Sequence, residues 1–261
     1  MRIDCRMEVG LGKQAIEDRI LVDNTILAGG IFSMQIPNGT PFVVAVADGV
    51  GGNKAGNWAS HIATEGLLSM KLHAISNEVA LEARIKQINA LIIDRSLQEK
   101  QFEKMATTLS GLYFTGERWF LFHIGNSRVY LLDTPYLKQI TTDHTWVSEM
   151  LQAGLTEDEI KSSGKSSTIT SCLGNGDALV ASKLQVFDVT SSIETSTSIF
   201  LTSDGIHDFI PHPMLERGVT SGTPPEGLLR LCMELARSRG STDDLSMICI
   251  SLREKNENHS N

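Results

Sequence analysis

The order in which hydrophobic periodicities occur along the chain constrains its fold most. Residues 2–9 alternate, with Ile3, Cys5, Met7 and Val9 on one face and Arg2, Asp4, Arg6 and Glu8 on the other, which predicts a half-buried strand. A second short strand is expected over 19–22. The continuous apolar run 42–47 reads as a central strand buried on both faces. Between them, residues 24–40 carry Gly29-Gly30 and Pro37-Asn38-Gly39 and are expected to form a long connection. Helical spacing follows over 55–74 and 78–101. Strand-like runs return at 107–114, 119–124, 128–132 and 137–140, separated by turn signals at Thr115-Gly116-Glu117 and Gly125-Asn126-Ser127. Residues 145–161 read as helical and 162–176 as a Ser/Thr/Gly-rich loop. Strands are expected at 181–189, 198–202 and 245–252, with a short helix at 205–210 stopped by Pro211 and a longer one over 224–238.

This order is not a regular βαβ alternation. Hairpin-linked strands with segregated helices predict an α+β layered fold with largely antiparallel sheets. No linker divides the chain, so a single domain is expected over 1–252, followed by a polar tail at 253–261.

Hydrophobic residues make up 41 % of the 261, enough for a large core and too many for a disordered chain. Lys plus Arg is 23 and Asp plus Glu is 31, a net charge of −8, which argues against a general nucleic-acid binder. No segment approaches the roughly 20 apolar residues that span a bilayer. The N-terminus lacks a signal-peptide core. Cys5, Cys172, Cys232 and Cys249 form no C-x-x-C pair and read as reduced, buried thiols. The expectation is a cytoplasmic monomer with no nucleic-acid or membrane partner.

The acids carry the functional signal. Glu17-Asp18 and Asp243-Asp244 each precede a strand, and Asp48-Gly49 and Asp204-Gly205 each end one. Clustered carboxylates repel one another unless protons or cations intervene. With oxygen donors and no Cys or His cluster, the fitting cation is Mg²⁺ or Mn²⁺. The same dipeptides are ordinary turn formers, so the pattern alone leaves a metal site and plain turns both open. The loop from Asp48 to Gly56 joins a strand to a helix, as phosphate loops do. It matches neither phosphate-loop fingerprint, because Lys54 stands where G-x-G-x-x-G needs a glycine and Asn57 stands where a Walker loop needs a lysine. No G-x-S-x-G elbow is present.

Taken together, the segments resemble the metal-dependent Ser/Thr protein phosphatases of type 2C (the PPM family). Those that carry the resemblance are Glu17-Asp18, Ala47-Asp48-Gly49-Val50-Gly51-Gly52 with Ala59-Ser60, Thr107-Thr108-Leu109, Ile124-Gly125-Asn126-Ser127-Arg128-Val129-Tyr130, Thr142-Asp143-His144-Thr145, Thr202-Ser203-Asp204-Gly205 and Asp243-Asp244-Leu245-Ser246. They occur in the family's order and cover nearly the whole chain.

The resemblance implies a four-layer α-β-β-α sandwich of two mainly antiparallel sheets flanked by helices, with a cleft for two Mn²⁺ or Mg²⁺ ions at one end. Asp48 would bridge both ions, Asp204 and Asp243 would complete one, and Glu17 with the Gly49 carbonyl would serve the other. Asp18 would orient the water shared by the ions, which attacks phosphorus in line. Lys13 stands where many members use Arg to hold the phosphate, keeping the charge but losing the bidentate fork. The implied substrates are proteins phosphorylated on Ser or Thr, including a Ser/Thr kinase or its substrates. The rival reading is a catalytically weakened, phosphatase-like binding or regulatory module, disfavoured because Glu17, Asp18, Asp48, Asp204 and Asp243 are all present.

Several positions depart from the family pattern. Asn126 replaces the usual Asp that, with the acid at Asp208, holds a third ion, so a weak third site is expected. Asp244 replaces the usual Asn, so one carboxylate is lost at 126 and one gained at 244. Ala106 replaces a Gly. The stretch of about 145–180 lies where the family has a variable flap. His144 reads as a hydrogen-bonded structural histidine and His207 as a packing one.

Overall fold

The computed structural model describes residues 1–50, 54–69, 75–162, 168–175 and 183–252. The glycines at 51–52, the end of the first expected helix, residues 163–167 and 176–180 of the flap-like stretch, the start of the strand expected at 181–189 and the 253–261 tail lie outside the described residues.

The first strands are β1 (Arg2–Glu8), β2 (Arg19–Val22), β3 (Thr25–Leu27), β4 (Gly30–Gln35), β5 (Phe42–Ala47) and β6 (Gly49–Val50). Helices α1 (Lys54–Leu68) and α2 (Glu78–Gln98) follow. Next come β7 (Ala106–Thr107), β8 (Leu109–Phe114), β9 (Trp119–Ile124), β10 (Arg128–Asp133) and β11 (Tyr136–Gln139). Helices α3 (Trp146–Gln152) and α4 (Glu157–Ser162) lead to β12 (Leu173–Gly174) and β13 (Gln185–Asp188). The chain closes with α5 (Thr190–Glu194), β14 (Ser198–Thr202), α6 (Asp204–His207), α7 (His212–Thr220), α8 (Pro225–Ser238) and β15 (Leu245–Ser251).

One sheet runs β11-β10-β14-β15-β1-β4 and the other β13-β9-β8-β5-β2-β3, with every pairing antiparallel. Alternation along each strand sends side chains to two cores. On β5, Phe42, Val44 and Val46 face the other sheet, where they meet Ile3, Leu201 and Ile248; Val43, Ala45 and Ala47 face Ala63, Ile85 and Ile88 of α1 and α2. A third core sets Tyr130, Phe200 and Met247 against Leu228, Leu229 and Met233 of α8. The result is the α-β-β-α layering that the resemblance implies.

Register explains why the acids meet. In the first sheet Glu8 pairs with Leu245 and Thr202 with Met247. In the second, Arg19 pairs with Ala47. Residues 17–18, 48, 204 and 243–244 therefore all leave their strands at one end of the sandwich.

Several local expectations are corrected. Residues 24–40 contain β3 and β4, edge strands whose half-exposed side chains and flanking glycines hide the strand pattern. The helix expected over 145–161 is broken into α3 and α4, with Gly154 at φ +91° between them. Pro211 starts α7 as its N-cap as well as following α6. A small sheet, β12-β7-β6, begins directly after Asp48, and its two-residue strands are too short to leave a periodicity.

Candidate metal centre

Asp18 sits just before β2 and is 1 % exposed; the Ser246 hydroxyl of β15 donates to its Oδ2 at 2.5 Å. Asp48 follows β5, and its main chain is fixed by two threonines. Its N–H donates to Thr108 Oγ1 at 3.0 Å, and its carbonyl accepts from the Thr107 hydroxyl at 2.9 Å and from Thr108 N–H at 2.8 Å. Asp204 opens α6, and the Asn126 amide donates to its Oδ2 at 3.0 Å. Asp208, at the C-cap of the same short helix, brings a further carboxylate.

The glycines after these aspartates serve close approach rather than turn geometry. A Cβ at Gly49 would stand 2.4 Å from the Gly56 carbonyl oxygen, and one at Gly205 would stand 2.0 Å from the Asp244 carbonyl oxygen. Gly56 of α1 presses against the Gly49 carbonyl, and a Cβ there would also lie 3.1 Å from Glu17 Oε1. The Glu17 carboxylate and the Gly49 carbonyl are thus brought to one place, and only a glycine at 56 leaves room for both.

Burial is the first cause of the shifted proton affinities here. It pushes Asp18 up to about 7, helped by the charges of Asp244 and Asp204 and opposed by bonds from Ser246 and Ser203. Asp48 is raised well above the usual carboxylate range by burial and then by Asp18, Asp204 and Asp243. Asp204 is raised by burial and by Asp243, while Asn126 opposes. Burial and Asp204 push Asp208 up to about 6. Glu17 is raised by burial and restrained by Lys13. Such a set is unfavourable as free anions and favourable around a cation.

Lys13 does not stand apart from the acids. Its ammonium lies 2.5 Å from Asp243 Oδ1 and 3.3 Å from both Glu17 Oε2 and Asp244 Oδ2. Burial alone would lower its proton affinity, but the Asp243 bond and the three anionic charges raise it.

The positions 126 and 244 do not trade a charge at one spot. Asn126 turns its donor toward Asp204, leaving its Oδ1 buried without a hydrogen-bond partner. Asp244 turns away to the 10–17 segment, where Oδ1 accepts from Gly10 N–H and Oδ2 from Glu17 N–H, each at 2.6 Å. His144 accepts from Gly125 N–H at Nδ1, 3.1 Å away, and His207 Nδ1 pairs with the Thr202 hydroxyl at 2.7 Å.

Among the described residues no three His, Cys, Asp or Glu side chains close into a finished ligand set. The residues nevertheless fit divalent ions by their donor chemistry. They offer all-oxygen donors, anions held near one another by register, and a buried Glu17 Oε1 with no hydrogen-bond partner. The roles of Gly56, Ser246, Thr107 and Asp244 escaped the sequence reading. The acids announce themselves by charge, whereas these residues act through contacts set by register.

Two antiparallel sheets between helical layers are also the fold of solved Ser/Thr phosphatases. The serine/threonine phosphatase PstP/Ppp from Mycobacterium tuberculosis superposes with a TM-score of 0.75 at 26 % identity, over 97 % of this chain and 100 % of that one. The catalytic domain of PstP in complex with two manganese ions gives 0.71 at 24 % identity, over 95 % and 98 %. In sequence, the serine/threonine phosphatase stp of Listeria monocytogenes serotype 4b (strain F2365) is 28 % identical over 230 residues, 85 % of this chain and 88 % of that protein. The protein phosphatase 2C family profile matches residues 31–222, and the chain belongs to that family.

Proposed function

We propose that this chain is a metal-dependent protein phosphatase that hydrolyses phospho-Ser and phospho-Thr with two Mn²⁺ or Mg²⁺ ions. The observation that carries the reading is the group of buried acids at the strand ends, whose charges oppose one another unless a cation intervenes. Asp48 would be shared by both ions, Asp204 and Asp243 would hold one, and Glu17 with the Gly49 carbonyl would hold the other. When bound, such ions supply an acidified water and offset the charge on the phosphoryl oxygens. Asp18, held by Ser246, would orient the attacking water and take its proton. Lys13 would share its charge between Asp243 and the substrate phosphate.

Asp208 would draw a third, weaker ion, to which Asn126 contributes at most a neutral oxygen. The substrates would be phosphorylated proteins, including a Ser/Thr kinase or its targets, met by a cytoplasmic monomer. Residues 1–252 would act as one catalytic unit, with the stretch of about 145–180 as a flap beside the cleft. The weakened binding-module reading is not favoured, because each of the five acids it would need to lack is present. Hydrolysis of a phosphothreonine peptide after EDTA treatment, with and without added Mn²⁺, tests the proposal. Activity should vanish with chelation and return with Mn²⁺ or Mg²⁺ but not Ca²⁺; full turnover in EDTA contradicts it.

A further inference from the structure

The segment joining β1 to β2 passes from one sheet to the other without entering either. It carries Lys13 and Glu17, both used by the proposed chemistry. Its main-chain ties are few. Leu11 N–H donates to the Thr242 carbonyl at 2.9 Å, and Lys13 N–H donates to the Gly10 carbonyl at 3.1 Å. Asp244, 1 % exposed at the start of β15, reaches both ends of the segment. Its Oδ1 accepts from Gly10 N–H and its Oδ2 from Glu17 N–H, each at 2.6 Å, and Lys13 Nζ lies 3.3 Å from Oδ2.

We propose that Asp244 is a positioning residue: its two oxygens fasten the 10–17 segment to the last strand and so set where the Glu17 carboxylate and the Lys13 ammonium stand. What those two groups bind rests on the proposed phosphatase reading; the fastening itself does not. Two backbone donors approach two different oxygens, so a carboxylate satisfies both. An Asn at 244 would offer one oxygen and turn its own N–H₂ toward the second donor, leaving a buried N–H facing another donor. Asp and Asn are therefore not equivalent here, although they share a shape. With both oxygens engaged, Asp244 acts through Glu17 and Lys13 rather than as a ligand.

The test has two arms. In the wild type, amide hydrogen exchange should show Gly10 and Glu17 protected well beyond a loop amide without a hydrogen bond; this arm needs no variant. In Asp244→Asn, at least one of these amides should exchange about tenfold or more faster, while β15 stays protected. Calorimetric Mn²⁺ affinity should fall about tenfold, the usual scale for losing an outer-shell partner of a ligand. KM for a phosphopeptide should rise at saturating metal, with kcat changing less. A purely structural role would lower Tm and leave the Mn²⁺ affinity and KM of the folded variant unchanged, which overturns the proposal. Unprotected Gly10 and Glu17 amides in an active wild type also overturn it. A wild type that neither binds Mn²⁺ nor turns over removes the phosphatase reading, and with it the catalytic consequence claimed for Asp244, whatever the exchange shows.

Discussion

The interior between the two sheets and the end where their strands stop are built by the same strands and obey opposite rules. Along β14, Ile199 and Leu201 enter a core made with Val44, Ile248 and Ile3, all without exposed surface. Two residues past the strand's end, Asp204 joins the buried carboxylates of Asp18 and Asp48, and the proton affinities of these three are raised. The interior gains from every group it contains, whereas the strand end loses from its own groups until a cation joins them. What this contrast teaches is that stability and function are separable in this molecule. The interior fixes the register that gathers the acids.

The sharpest way to break the contrast is to neutralise one acid. Asp48→Asn should lower phosphopeptide turnover at saturating Mn²⁺ by about a thousandfold, roughly 4 kcal/mol of transition-state stabilisation. The metal-free protein should melt at the wild-type temperature or above it, because a repelled charge has gone. A variant that keeps its turnover, or loses its fold, would show that the strand end is not what it is described to be here.

The mirror experiment is made in the interior. Leu201→Ala should cost about 3 kcal/mol of unfolding free energy by denaturant titration. The kcat of the fraction that remains folded should stay within about twofold, a small change on the scale of transition-state energies. A loss of kcat that exceeds the loss of folded protein would mean that the two regions are coupled.

A smaller effect reads the acids through pH. Burial raises the Asp18 carboxyl from 3.8 to about 7, so the folded state holds a proton that the unfolded chain releases between those values. The group therefore lowers metal-free stability as pH rises through that window. Asp208, pushed up to about 6, acts in the same direction. His123 and His144, lowered by burial to about 4, act in the opposite one, because unfolding lets them take up protons. The wild-type profile mixes both signs, so the difference between Asp18→Asn and wild type isolates the acid. In EDTA, the variant's advantage in Tm should widen from pH 4 to pH 7.5; a constant difference would show that Asp18 titrates normally.

The smallest expected effect lies at 126. Asn126→Asp exchanges a donor to Asp204 for a second anion beside it. Metal-free Tm should fall by a few degrees, of the order expected from about 1 kcal/mol. The Mn²⁺ concentration for half-maximal activity should fall too, if a third ion assists turnover. Identical titrations and melting curves for the two proteins would refute the argument from ligand charge.

Much of this contrast is readable in the sequence, and the limits of that reading are physical. The run Phe42–Ala47 is apolar on both faces because it is covered on both, so its bounds follow from composition alone. Acids beside such runs stand out because charge next to a buried strand requires a reason. Edge strands β3 and β4 carry no comparable signal, since one side of each meets solvent. The destination of Asp244 was also hidden: Asp243-Asp244 shows two charges, but only the pairing of β15 with β1 decides that Asp244 faces Gly10 and Glu17. For the same reason the dipeptides Asp48-Gly49 and Asp204-Gly205 look like turns until the backbone crowding at Gly49 and Gly205 is seen.

The strand-end acids are proposed to form one shared site for divalent ions, with Asp48 common to both. The most direct measurement is Mn²⁺ stoichiometry by calorimetry on EDTA-stripped protein, wild type against Asp48→Asn. The wild type should bind about two ions, with a third only at much higher concentration, and the variant should lose both tight ions together. Retention of one tight ion at wild-type affinity in Asp48→Asn, or no tight ion on the wild type, would contradict it.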